Sequence, residues 1–299
     1  MKVLLTGGSG QVGQEIIKSK PQEIEIINPC RKKLDLSDYN ACKKIVEDHK
    51  PDFVFHLAAQ ALVRPSYEMP MDTFITNAIG TTSVLEALRK LSHEVTAVII
   101  TSDKAYDNVE WVWGYRETDK LGGKDPYSAS KGMAELAIRS YFESYFNNVD
   151  TNVRIGITRA GNVIGGGDWA LDRIVPDCMK AWSKDIAVDI RSPEATRPWQ
   201  HVLEPISGYL DLAELIFSKE NNYLYCDSFN FGPMPDSNKT VKELLEESFK
   251  YWKGEWFQNQ SCEIFHESKM LNLQIEKAKN IIGWKPKWDF NKTIEKTIN

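Results

Sequence analysis

A chain of 299 residues, 42% of them hydrophobic, can bury one large core or two moderate ones. Its formal net charge of −5 offers no basic face to nucleic acid, and its longest apolar runs, such as 95–100, are far too short to span a bilayer. Five cysteines, Cys30, Cys42, Cys178, Cys226 and Cys262, are scattered and form no CxxC pair, which supports neither a zinc site nor a disulfide framework and suits free thiols in a reducing cytosol.

The chain begins directly on a strand, over 2–6, without the layout of a signal peptide. Further strands are expected over 23–27, 53–57 and 95–101, with helices over 12–19, 39–50 and 77–91 between them. The strands are continuous apolar runs, as expected when both faces of a parallel sheet are covered. Alternation of this kind predicts a doubly wound α/β sheet with right-handed crossovers. A helix over 128–146 and a strand over 152–159 continue the pattern. Periodicity then weakens: 161–200, rich in Gly, Pro, Asp and Trp, suits loops around a ligand. A helix over 204–218 returns to the sheet, and 221–299 mixes short strands with a helix near 240–251. The expected division is a dinucleotide-binding domain, 1–160 plus about 202–226, and a smaller discontinuous α+β domain, about 161–201 and 227–299, for the substrate.

The first strand leads into Gly7, Ser9, Gly10, Gln11, Val12 and Gly13, with glycines at TGxxGxxG spacing. Such glycines allow a tight turn, close approach of backbone to a pyrophosphate, and close helix-to-strand packing. The helix N-terminus then presents free N–H groups to the phosphates. The second strand ends near Asn28 rather than in the acid expected to hold the ribose hydroxyls of NAD. Arg31, Lys32 and Lys33 follow, and they suit either a solvated turn or the 2′-phosphate of NADP. Asp35 is placed to accept from the adenine amino group, beside Leu36. Leu57, Ala58, Ala59 and Gln60 end the third strand with small residues, where backbone passes close to a cofactor. Asn77 and Thr101 complete the candidate cofactor contacts, while His56 reads as a core histidine.

Tyr127 and Lys131 lie one turn apart on a helix. An ammonium there lowers the phenol pKa and makes Tyr127 a base able to deprotonate a sugar hydroxyl while hydride leaves the same carbon. Asp103 and Lys104, just after Ser102, add a second acid/base pair. Alcohol oxidation does not need that pair, but elimination of water does. Arg173 and Arg197 are candidate diphosphate clamps, since a guanidinium pairs bidentately with phosphate. No metal-ligand spacing is present.

Longer strings carry a resemblance: HLAAQALVRPSY at 56–67, TSDK at 101–104, WGYRE at 113–117, DPYS at 125–128, RAGNVIGGGDW at 159–169 and RPWQHVLEP at 197–205. They resemble the extended short-chain dehydrogenase/reductase superfamily and, within it, the nucleotide-sugar 4,6-dehydratases, the CDP-glucose branch above all. The resemblance runs from about 51 to 233. The first fifty residues fit less well, and LDLSD at 34–38 is also similar to dTDP-sugar reductases, which keeps NAD against NADP, and an epimerase or 4-keto reductase, open. The resemblance implies that a tightly held NAD takes hydride from C4 of the hexose while Tyr127 takes the hydroxyl proton, that Lys131 holds the cofactor ribose and depresses the Tyr127 pKa, and that Ser102 binds the C4 oxygen. It implies that Asp103 protonates the departing C6 hydroxyl, and that Lys104 is the C5 base or stabilises the enolate. Asn162 resembles a substrate-phosphate contact, while His201 reads as a structural residue or, second, as a contact near the pyrophosphate. Family members are commonly homodimers built through paired helices, here those over 77–91 and 128–146.

Overall fold

The continuous apolar runs become β1 (Lys2–Thr6), β2 (Glu25–Ile27), β3 (Phe53–His56), β4 (Val95–Ile100) and β5 (Val153–Ala160). These were located in a computed structural model that describes residues 1–148, 150–170, 172–218, 222–258 and 270–299. The helices among and after them are α1 (Gln11–Ser19), α2 (Tyr39–His49), α3 (Val63–Glu68), α4 (Pro70–Phe74), α5 (Gly80–Arg89) and α6 (Pro126–Tyr141). Short strands β6 (Val163–Ile164), β7 (Val188–Asp189), β8 (Thr196–Pro198) and β9 (Gln200–His201) follow, with α7 (Ile174–Trp182) among them. The chain continues through α8 (Leu203–Ser218), β10 (Ser228–Phe231), β11 (Asn238–Thr240), α9 (Val241–Ser248), β12 (Trp256–Phe257) and α10 (Phe290–Ile298).

Six strands form one parallel sheet in the order β10-β5-β4-β3-β1-β2. Successive side chains alternate between its faces, as the pleat requires. Val3, Leu5, Phe53 and Phe55 join α8 residues such as Leu212 and Ile216 on one face. Leu4, Val54, Ala97 and Ile99 join α5 residues such as Leu85 and Leu88 on the other. Burying one such Leu or Phe side chain contributes about 1.5–3 kcal/mol, so both faces are held mainly by apolar contact. A third cluster, around Trp182, Trp199, Leu245 and Ile294, is the core of the smaller lobe.

The doubly wound sheet matches the expected fold class, but three local expectations differ. The helix expected over 77–91 begins earlier: α4 runs without a break through a π-helical turn over Ile75–Ile79 into α5, one helical stretch from Pro70 to Arg89, with the short helix α3 before it. Pro70, at the start of α4, breaks the run, since proline cannot continue a helix as a donor. The supposed loop region 161–200 contains α7, whose buried residues include Val175, Cys178 and Trp182. Ser228–Phe231, assigned from sequence to the substrate segments, instead forms the outer strand of the main sheet beside β5. All four of its residues are buried, so its apolar run belongs to the large core. Cys30, Cys42, Cys178 and Cys226 are free thiols, and Cys262 lies outside the described residues.

Candidate active site

Strand β4 and helix α6 together build the site. After β4 the chain makes a single 3₁₀ turn, Asp103–Ala105, capped by Ser102. The Ser102 hydroxyl accepts from the Lys104 N–H at 3.2 Å and donates to Asp103 Oδ1 at 3.0 Å. Helix α6 starts sharply because Pro126 sits in its first turn and Asp125 caps it, accepting from Ser128 N–H at 2.9 Å. Tyr127 and Lys131 follow on its buried face, 8% and 6% exposed. Asp103 is 4% exposed.

Burial sets the electrostatics. It raises the Asp103 carboxyl above the ordinary range, against the lowering effects of Lys104, Ser102 and Arg197. That is the direction a neutral acid requires. Burial pushes the Lys131 ammonium down to about 8, with the Glu135 charge opposing it. The sequence argument had Lys131 lowering the Tyr127 phenol, and the structure reverses that direction. Tyr127 is pushed up to about 12, because burial outweighs the Ser102 hydroxyl and the Arg173 charge, while Asp103 and Asp125 add to the rise. Removing water from a phenol penalises its anion more than these neighbours compensate.

Asp103, Lys104, Asn162, Arg197 and Pro198 line one small cleft with Leu271. A second small cleft, lined in part by Lys104, Tyr106, Asp125 and Ser128, shares Lys104 and Leu271 with it. Thus the substrate-side candidates Asn162 and Arg197 do meet the acid/base pair. Arg173, 34% exposed at its side chain, pairs with Asp168 at 2.7 Å. His201 lies outside that cleft, beside the dinucleotide turn: a Cβ added to Gly165 would meet its Nε2 at 3.3 Å and the Gln11 amide nitrogen at 3.4 Å, its Nδ1 accepts from Leu203 N–H at 3.2 Å, and its ring stands 4.8 Å from that of Trp288. Trp199 packs in the small-lobe core, whereas Trp169 is 65% exposed.

At the dinucleotide turn, Gly7 has φ +76°, and a Cβ on it would come within 2.6 Å of the Ala58 amide nitrogen. Only glycine permits that approach of the β1 and β3 ends. Gly10 is the N-cap of α1 without a side-chain cap, so the first N–H groups of the helix are left for an anion. Around a Cβ added to Gly10 the nearest atom is the Gly7 carbonyl oxygen at 3.5 Å, an open cradle that fits a pyrophosphate. Gln11 Nε2 donates to the Gly165 carbonyl at 2.9 Å, and its Oε1 is buried with no partner. Ser9 is exposed on the turn, and Val12 packs partly buried against the sheet core. Asp35 Oδ1 accepts from Ser37 N–H and Oγ, which hold its carboxyl below the ordinary range. Arg31 is exposed on the turn before it, and Leu36 is buried in the core.

Several candidate cofactor residues have bracing contacts. Asn77 accepts from Gln60 N–H at 2.8 Å and donates to the Gln60 carbonyl and to Ser130 Oγ. It thereby ties the chain after β3 to α6. The Gln60 side-chain amide donates to Leu62 O and Thr73 Oγ1. The Thr101 hydroxyl donates to Glu135. His56 is the core histidine expected: its ring contacts Thr6 and Thr81 hydroxyls, and burial pushes it down to about 3. Glu135 and Arg159 were missed. An acid one turn beyond Lys131, on an otherwise buried helix face, is the signal that marks Glu135.

A parallel sheet with this glycine turn at its first crossover and a buried Tyr-Lys pair beside the fourth strand defines an extended short-chain dehydrogenase/reductase. The GDP-mannose 4,6 dehydratase family model matches residues 15–297, and the chain belongs to that family of nucleotide-sugar 4,6-dehydratases. It is 41% identical over 269 residues to CDP-glucose 4,6-dehydratase of Salmonella typhimurium, covering 88% of this chain and 74% of that protein. It is 22% identical to dTDP-glucose 4,6-dehydratase 1 of Escherichia coli, covering 100% and 92%. Among solved structures, dTDP-glucose 4,6-dehydratase from Bacillus anthracis in complex with NAD superposes with a TM-score of 0.79 at 19% identity, over 100% of this chain and 95% of that one. That likeness is one of fold. Among the described residues, no helix is long and apolar enough to cross a membrane.

Proposed function

We propose that the chain dehydrates CDP-glucose to CDP-4-keto-6-deoxyglucose, moving hydride internally from C4 to C6. The observation that carries this reading is Asp103: a carboxyl raised by burial, in one cleft with Lys104 and near enough to Tyr127 for its charge to act on the phenol. An epimerase or ketoreductase has no use for that pair. The 41% identity to the Salmonella enzyme supports CDP-glucose as substrate.

The glycine cradle and the uncapped α1 N-terminus fit a dinucleotide, taken as NAD, with exposed Arg31 able to meet a 2′-phosphate should NADP bind. Bound there, the nicotinamide supplies acceptance and return of hydride. Tyr127 takes the C4 hydroxyl proton, and the charge of Lys131 favours the phenolate while Ser102 holds the C4 oxygen. The resulting ketone acidifies C5–H. Lys104 is placed to take that proton or, as an ammonium, to stabilise the enolate while another base takes it. Asp103 protonates the departing C6 hydroxyl, which leaves as water. Asn162, Arg173 and Arg197 hold the diphosphate. Exposed Met69, Met71, Ile79, Met133, Leu136 and Tyr145 on and beside α4–α6 support a homodimer through these helices, and the free thiols Cys30, Cys42, Cys178 and Cys226 suit work in the cytoplasm.

The test is incubation of purified protein with CDP-glucose, dTDP-glucose and GDP-mannose, following loss of water by mass spectrometry. Selective conversion of CDP-glucose supports the reading. Dehydration of another nucleotide hexose alone would move the substrate, and inertness toward all of them would overturn the chemistry.

A further inference from the structure

Beneath the catalytic turn lies a charge pair that the reaction scheme does not use. Arg159 on β5 is 3% exposed and Glu135 on α6 is 2% exposed. Arg159 Nε donates to Glu135 Oε1 at 2.7 Å and Nη2 donates to Oε2 at 2.9 Å, a two-pronged pairing. Nη2 also donates to Ser228 Oγ on β10 at 3.3 Å, and part of the remaining bonding capacity goes to the flanks of the turn. The Thr101 hydroxyl donates to Glu135 from just before Ser102. Arg159 Nη1 donates to the Tyr106 hydroxyl at 2.8 Å, just after Ala105, and to the Glu117 carbonyl at 3.0 Å. The guanidinium also stands 4.9 Å from the centre of the Tyr106 ring, whose hydroxyl donates to Asn230 Oδ1 at 2.8 Å. A dry ion pair is a poor source of net stability, so its place under this turn points to another use.

We propose that Glu135 and Arg159 are positioning residues: they clamp both ends of the Ser102-Asp103-Lys104 turn, and Glu135 supplies the counter-charge for Lys131. The proposal rests on the reading of Tyr127 and Lys131 as the oxidising pair. Glu135 lies one helical turn beyond Lys131 on the buried face of α6. Its charge opposes the fall that burial imposes on the Lys131 ammonium, which stands at about 8. The other titratable groups around Lys131 are Tyr127 on α6, His56 on β3 and Asp103 on the turn. His56 is held neutral by burial and the charge of Lys131, and Asp103 is raised toward its neutral form. On α3 and α4, Arg64 pairs with Asp172, while Glu68 and Asp72 are exposed. Glu135 is therefore the buried carboxylate whose loss Lys131 should feel.

Glu135→Gln is expected to lower the Lys131 titration by about one pH unit, the scale of a lost neighbouring charge. The readout is NMR of the full chain labelled with 13Cε-lysine, with the Lys131 resonance assigned by its loss in Lys131→Arg. The alkaline limb of CDP-glucose turnover should move down by the same interval, with KM within about twofold, since Glu135 touches no substrate. The single variant strands Arg159 and loses thermal stability; Glu135→Gln/Arg159→Gln should recover much of it while Lys131 still titrates below wild type. An unchanged Lys131 titration in either folded variant overturns the proposal, whatever happens to turnover. If the titration moves as expected but wild type leaves CDP-glucose intact, the positioning role is supported and the dehydratase reading fails.

Discussion

Asp103, Tyr127 and Lys131 are 4%, 8% and 6% exposed, while Asn162 and Trp169, on the loop after β5, face solvent. The first group is braced from below by Glu135 and Arg159 and has its protonation set by burial. Near the second, Arg173 makes a partly exposed pair with Asp168. The contrast follows the chemistry each side must perform. Proton transfer needs groups whose charge states differ from those in water, and only a dry setting supplies them. A nucleotide diphosphate arrives and leaves through water, and needs only complementary charge at an open rim.

If that division is right, the largest effects come from the dry side. Asp103→Asn should keep C4 oxidation, seen as reduced nicotinamide accumulating in a single turnover, while dehydration falls by about 10²–10⁴-fold, the usual worth of a general acid. Full dehydration in that variant would erase the distinction between the two regions. Arg159→Ala leaves Glu135 buried without its partner and should cost about 3–5 kcal/mol in denaturant unfolding. A loss below about 1 kcal/mol would mean that the pair behaves like a surface bridge.

A pH series sharpens the comparison further. Burial depresses Lys131 in the folded chain to about 8, from the ordinary lysine value of 10.5. Turnover that needs its ammonium should fall as pH rises through about 8. For stability the sign is opposite. Between the folded and unfolded pKa values the unfolded chain binds more protons, so the contribution of Lys131 to stability rises with pH across that window. An activity limb and a stability change of opposite sign, both absent in Lys131→Met, would mark the group. The smallest effect belongs to the exposed side: Arg31→Ala should weaken NADP binding by about tenfold, or about 1.4 kcal/mol, and leave NAD binding unchanged by calorimetry. Equal losses for both would remove Arg31 from the 2′ position.

The local patterns in the sequence were readable because they are short-range. Apolar runs set β1, β3, β4 and β5, Gly7 and Gly13 flank the turn between strand and helix, and Tyr127 and Lys131 share a helix face. What was not readable depends on distant partners. Thr101 looked like a cofactor contact, yet its hydroxyl goes to Glu135. Asn77 looked the same, yet it binds Gln60 and Ser130. Arg159 meets Glu135 across 24 positions of sequence, a separation that leaves no period. Ser228–Phe231 was separated from the sheet because a short buried run does not say which layer it joins. The direction of the Tyr127 shift was missed because charge pairing is visible in a motif and dryness is not.

Gln11 and Gly165 are 154 positions apart, one in the turn under the dinucleotide cradle and the other in the strip that leads to the sugar lobe. A single amide joins them. The first crossover of the sheet is thereby fastened to the strip that enters the smaller lobe. Through that fastening, a molecule seated at the crossover would bear on the lobe across from it.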